Sequence, residues 1–251
     1  MRVRPDLVLA LAQTAPVPGD VPANAAHAVA MTAQAAASGA RLVVFPELSL
    51  VGYDLSLLED GARWLSGVDD PRLDPLRDAA RAEGVWLVVG APVRPAGGGP
   101  VIASLVLAPD GRAHAHPKER LHGSETLLFT PGTPTPPFDV DGWLVALAVC
   151  FDMADPAHAA QAAAAGADLY VSSSVYVEGE ERRLDLHHGA RAMDHRMYAA
   201  MAGQVGPSGI GLTIGGAGVW RPDGVREATL GAEPGLLVRT LRSAELDRHR
   251  A

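Results

Sequence analysis

Short apolar runs ended by chain breakers alternate with segments of helical character, and that order restricts the chain to a layered α/β fold. Residues 7–13 form such a run and stop at Thr14-Ala15-Pro16. Residues 23–38 are alanine-rich and close on Gly39, which predicts a helix with a glycine stop. Residues 41–45 read as a fully buried strand before Pro46, residues 74–83 as an amphipathic helix ended by Gly84, and residues 85–89 as another buried strand. Residues 101–107 and 113–117 flank Pro109-Asp110-Gly111, a hairpin turn signal. A buried strand over 144–149 leads to a helix over 157–165, with Asp155 as N-cap, Pro156 as first helical residue and Gly166 as stop. Further expectations are a strand at 169–172, a helix at 184–197, a strand at 198–205, and short strands at 218–220, 225–229 and 236–240. Strand–helix units thus mix with hairpins, so the sheets combine parallel and antiparallel pairs under helices. The turn at 95–100 and the proline-rich loop at 130–137 are too short to separate domains, so residues 1–251 read as one domain.

Composition narrows the class of partner. Apolar residues make up 48% of the chain and its net charge is −8. That argues against nucleic acid, which needs a basic face, and against an anionic membrane surface. No apolar stretch is long and charge-free enough to span a bilayer. The lead-in at 1–6 lacks a signal-peptide pattern, and one cysteine cannot form an internal disulfide. A cytoplasmic protein is expected.

Every basic side chain is arginine except Lys118, and the one cysteine is Cys150. Lysine offers a compact point charge where arginine offers a planar fork. Alone, each residue is compatible with a chance surface lysine or a buried inert thiol. Cys150, however, stops a buried strand just before a helix, where side chains of α/β folds line crevices. A free thiol titrates near ~8.5 and needs a base or cation to attack at neutral pH. Glu47, in Phe45-Pro46-Glu47-Leu48, also lies just past a buried strand; it either caps a turn or moves a proton. Lys118 lies at a strand terminus too, where a buried ammonium would stabilise an oxyanion. Glu125 follows within reach of Lys118. If the three strands are neighbours, an acid–base group, a cation and a nucleophile meet in one crevice.

These motifs resemble the nitrilase superfamily, the carbon–nitrogen hydrolases. The resemblance rests on Phe45-Pro46-Glu47-Leu48 with Gly52-Tyr53, Lys118 with Leu121-His122, and Glu125 before Phe129 and Pro131-Gly132. It continues through Leu147-Ala148-Val149-Cys150-Phe151-Asp152, Gly166-Ala167-Asp168 and Arg191-Ala192. It implies a four-layer α-β-β-α sandwich and a Glu47–Lys118–Cys150 triad. By that likeness Glu47 is the base, Cys150 attacks an amide or nitrile carbon, and Lys118 with the Phe151 N–H holds the oxyanion. Glu125 would position Lys118 and the substrate, and no metal or organic cofactor is implied. The chain departs from the family at Ser172-Ser173-Ser174, Asp194 and Ala217, which are expected to touch the pocket wall and its supporting shell.

Tyr53, His122, Ser174 and Tyr176 are expected around the pocket. The nine histidines give no compact set with carboxylates at metal spacing, so no metal site is expected. Hydrolysis of a small amide through a cysteine thioester is the expected reaction. Nitrile hydrolysis, acyl transfer and a catalytically silent small-molecule binder are the alternatives. The resemblance implies a homodimer or higher homo-oligomer, paired through the face that holds the nucleophile's helix.

Overall fold

A computed structural model describes residues 4–59 and 61–251; residues 1–3 of the lead-in lie outside them. β1 (Leu7–Thr14), β2 (Leu42–Val44) and β3 (Trp86–Val93) run parallel, connected by α1 (Val21–Ala37) and α2 (Asp74–Glu83). β4 (Val101–Leu107) and β5 (Ala113–Pro117) extend this half antiparallel. The second half holds β6 (Phe138–Val140), β7 (Trp143–Val149), β8 (Leu169–Ser174) and β9 (Tyr198–Ser208), with α3 (Pro156–Ala164) and α4 (Glu181–His195) between the parallel strands. β10 (Gly211–Ile214) and β11 (Gly218–Trp220) pair with β9, and β11 pairs with β12 (Arg226–Thr229). β13 (Gly235–Leu241) returns along β1 before α5 (Ser243–Arg250). The strand order is β5-β4-β3-β2-β1-β9-β8-β7-β6, and the two halves join where Gln13 and Thr14 pair with Gly203 and Gln204.

The sheet curls on itself, and β2, β3 and β8 bury both faces along their whole length, as their continuous apolar runs require. Leu9, Leu11, Val44 and Val88 from the first half pack on Val145, Leu147, Val171 and Ala200 from the second. The alternate residues Ala10, Ala12, Val43 and Val89 face α1 and α2, as the two-residue period of a strand dictates. Ala25, Ala28 and Ala35 line the buried side of α1, so that helix sits close to the sheet. On the opposite face Ala146, Ala148 and Tyr170 meet Ala159 and Ala162 of α3. The layers therefore run helix, sheet, sheet, helix, as the resemblance implied. Each fully buried leucine in this core contributes roughly 1.5–3 kcal/mol.

Some elements differ from the sequence expectation. α1 starts at Val21 because Asp20 caps it, accepting from the Ala23 N–H at 3.0 Å. α4 starts at Glu181, in a charged stretch that shows no apolar period. β6, β10 and α5 were not expected: β6 and β10 are three and four residues long, and α5 is almost wholly polar.

Strand polarity positions the site. β5 lies antiparallel to β4, which lies antiparallel to β3, so β5 points the same way as β2. β7 is linked to β1 through parallel β8 and β9, and so points that way too. Glu47, Lys118 and Cys150 all follow strands that end on one side. The three strands are not adjacent in the sheet order, the condition the sequence reading attached to their meeting; their ends converge across the sandwich instead.

Candidate active site

Each of the three side chains leaves the sheet through a constrained turn. After β2 the chain folds back over β3: the Phe45 N–H donates to Val88 O at 2.8 Å and the Leu50 N–H to Gly90 O at 3.0 Å. A Cβ at Gly90 would lie 2.4 Å from both Leu48 N and Pro46 O, so only glycine lets the Glu47 loop approach this closely. Lys118 is fixed by its N–H, which donates to Ile102 O at 2.8 Å. Cys150 has φ +46°, a left-handed conformation costly for a residue with a side chain. The Asp152 carboxylate braces it by accepting from the Val149 N–H at 2.9 Å.

The Lys118 ammonium is completely buried and donates to Glu47 Oε1 and Glu125 Oε1, each at 2.7 Å. An ammonium has three N–H groups, so one remains after these two bonds. Glu125 is held in turn by the His122 N–H, at 2.8 Å, and by the Tyr53 hydroxyl. Glu47 Oε2 is buried and has no hydrogen-bond partner. Cys150 Sγ lies 3.4 Å from Val175 O.

Electrostatics separate the roles. Burial pushes the Glu47 carboxyl up to about 7, although the Lys118 charge pulls it down, and the nearby Cys150 thiol lowers it further. Burial alone would push Lys118 down, but Glu47, Cys150 and Glu125 more than reverse this and keep it an ammonium. Burial, then the Glu47 charge, pushes the Cys150 thiol well up, with Lys118 opposing. The cluster therefore rests as a neutral thiol beside a carboxylate poised near neutrality.

Cys150, Lys118 and Glu125 open onto a cavity of about 290 Å³. Tyr53, His122, Phe151 and Tyr176 line it. The His122 and Phe151 rings stand 4.5 Å apart. Ser174 does not line it: its hydroxyl turns away and donates to Ser172 Oγ at 3.1 Å. Nor do Ser173, Ala217 or Asp194 reach the wall. Ser173 and Ala217 are buried in the sheets and Asp194 is exposed on α4. The sequence reading missed Glu180, Arg183 and His187, which stand at helical spacing around the start of α4 and form the rim. Arg183 pairs with Glu180 at 2.8 Å and lies over the Phe151 ring. That spacing was visible, but the helix start was not.

The expectation about histidines also needs correction. His116, Asp152 and His158 are buried together, with one donor atom of each within 4.8 Å of the others. They come from β5, the turn after Cys150, and α3, so no spacing along the chain could reveal them.

Comparison with known proteins agrees with this geometry. The family model described as carbon-nitrogen hydrolase matches residues 8–251. A protein named as a hydrolase from Pseudomonas protegens is 31% identical over 238 residues, covering 93% of this chain and 82% of its own length. A solved structure of a double mutant of the amidase from Nesterenkonia sp. AN1, in complex with acrylamide, has a TM-score of 0.85 at 30% identity, covering 98% of this chain and 96% of that one. A mutant of the same amidase in complex with butyramide has a TM-score of 0.82 at 29% identity, covering 96% and 93%. The chain is an enzyme of the carbon–nitrogen hydrolase family, within the nitrilase superfamily.

Proposed function

We propose that this enzyme hydrolyses a short, uncharged amide through a thioester on Cys150. The observation that carries the reading is the buried Lys118 ammonium, held by two carboxylates at 2.7 Å beside the one thiol of the chain. Cys150 Sγ attacks the carbonyl carbon while its proton passes to Glu47 Oε2, the acceptor with no other partner. The third N–H of Lys118 and the backbone N–H of Phe151 stabilise the oxyanion. On collapse the C–N bond breaks, Glu47 returns the proton to nitrogen, and ammonia leaves. Water then attacks the thioester with Glu47 as base, the C–S bond breaks, and the thiol and a carboxylic acid are restored. Glu125 keeps Lys118 in place and takes no proton.

Pocket size and charge set the substrate. A cavity of about 290 Å³ is small for a ligand site. Arg183, the rim cation, is already paired with Glu180, so it is a poor receptor for a substrate carboxylate. Short neutral amides fit both facts, and the related amidase binds acrylamide and butyramide. Ammonia release from a panel of acetamide, butyramide, acrylamide and the half-amide of succinate tests the reading. Turnover of the neutral amides above the half-amide is expected, and no ammonia from any of them contradicts it. We also infer a homo-oligomer, since Leu186 and Met193 stand exposed on α4; a monomeric mass in solution contradicts that.

A further inference from the structure

Below the catalytic cluster, on the α3 side, lies a second group of buried polar side chains that the proposed reaction does not use. His116 lies near the end of β5 and is buried; its Nδ1 contacts Thr135 Oγ1, and its Nε2 has no partner. His158, on α3, places Nδ1 2.6 Å from the Tyr170 hydroxyl, and its Nε2 also lacks a hydrogen bond. That Nε2 lies 3.3 Å from Glu119 Oε1 and 4.0 Å from Asp152 Oδ2. Both carboxylates are buried. Each imidazole thus has a hydroxyl oxygen on Nδ1 that can accept its N–H, and in that tautomer Nε2 keeps a free lone pair. This is the outer-shell pattern that orients metal-binding histidines.

The local charge balance points the same way. Lys118 already pairs with Glu47 and Glu125, and Arg120 is engaged by Asp155 at 2.8 Å, with its distance to Glu119 at 3.8 Å. Asp152 accepts from the Glu119, Arg120 and Val149 N–H groups, yet each carboxylate oxygen takes two bonds, so Oδ2 keeps one free. A cavity of about 230 Å³, bordered by His116, Glu119 and His158, provides an approach.

We propose that His116 Nε2, His158 Nε2 and the Asp152 carboxylate, with Glu119 as fourth donor, form a site for a divalent transition-metal ion of the zinc class. Two imidazoles with carboxylate oxygens suit that ion. Tetrahedral donors at zinc distances stand about 3.4 Å apart, so the present spread of up to 4.8 Å closes by a small inward movement. The ion is structural: through Asp152 it ties α3 to the backbone just after Lys118 and just before Cys150. Nothing in it depends on the amide chemistry, so either proposal can fail without the other.

The test is zinc titration of the chelator-stripped full chain, with bound metal counted after gel filtration. One zinc per chain is expected, with a rise in Tm. His116→Gln and His158→Gln should each weaken binding by more than about 100-fold, since even losing an outer-shell partner costs 10–100-fold. Cys150→Ala should bind as the parent does. Cobalt in the unaltered chain provides a readout that needs no variant: d–d bands without a thiolate charge-transfer band are expected. No bound ion, a thiolate band, or binding lost in Cys150→Ala and kept in the histidine variants would overturn the proposal.

Discussion

The Glu47–Lys118–Glu125–Cys150 cluster and the Ser172–Ser174–His188 cluster are both buried at strand ends, yet their hydrogen bonds are balanced differently. In the second, His188 Nδ1 donates to Leu184 O at 2.7 Å, and Nε2 lies 2.8 Å from the Ser172 hydroxyl. Ser174 then donates to Ser172, and the imidazole stacks 4.6 Å from Trp220. Burial holds His188 down at about 3, so it stays neutral. Every group there is answered, and none of the three lines the catalytic cavity. The first cluster keeps an orphaned acceptor on Glu47 and an unused ammonium N–H on Lys118 beside that cavity. The serine–histidine cluster is thus fully satisfied, while the thiol cluster keeps unfilled hydrogen-bonding capacity beside a cavity.

Substitutions in the two clusters sharpen that contrast. The largest effect is expected from Cys150→Ala, which should lower ammonia release by a factor of about 10,000 or more while the circular dichroism spectrum is retained. Lys118→Arg comes next. The fully buried site has no room for a planar guanidinium, and loss of the oxyanion donor should cost about 100–1,000-fold in kcat. Steady-state assays check both, and near-normal turnover in either breaks the comparison. The pH profile is a subtler probe. A base must be ionised to act, and Glu47 titrates near 7, so kcat/KM should rise with pH through about 7 and then level off. Smallest in activity is Ser172→Ala. It should change turnover only a few-fold but lower stability by ~1–3 kcal/mol in urea melts, because His188 Nε2 is left buried and unanswered.

Much of this was legible in the residues. The parallel strands announced themselves as uninterrupted apolar runs such as 85–89, and Asp155-Pro156 marked the start of α3, which begins at Pro156 with Asp155 as its cap. Glu47 and Cys150 stood out because each follows such a run, and Lys118 because lysine, like cysteine, occurs once. What stayed hidden was three-dimensional. That β2, β5 and β7 meet across a sandwich depends on sheet order and curling, which local periodicity does not encode. The rim residues Glu180 and Arg183 were obscured by a charged helix start with no capping signal. The His116–Asp152–His158 group joins three elements whose sequence spacing says nothing of their contact. The thiol's upward shift was also invisible, since its cause is burial, which the strand end alone does not reveal.

The central claim is that a neutral Cys150 thiol is activated by Glu47. The most direct measurement is the rate of iodoacetamide alkylation against pH, read by intact mass, in the parent chain and in Glu47→Gln. The single cysteine makes any mono-adduct unambiguous. The parent rate should climb through about pH 7, and the glutamine variant should lose that rise and react slowly until alkaline pH. The same pH dependence in both proteins would mean that the thiolate forms without Glu47, and would contradict the account.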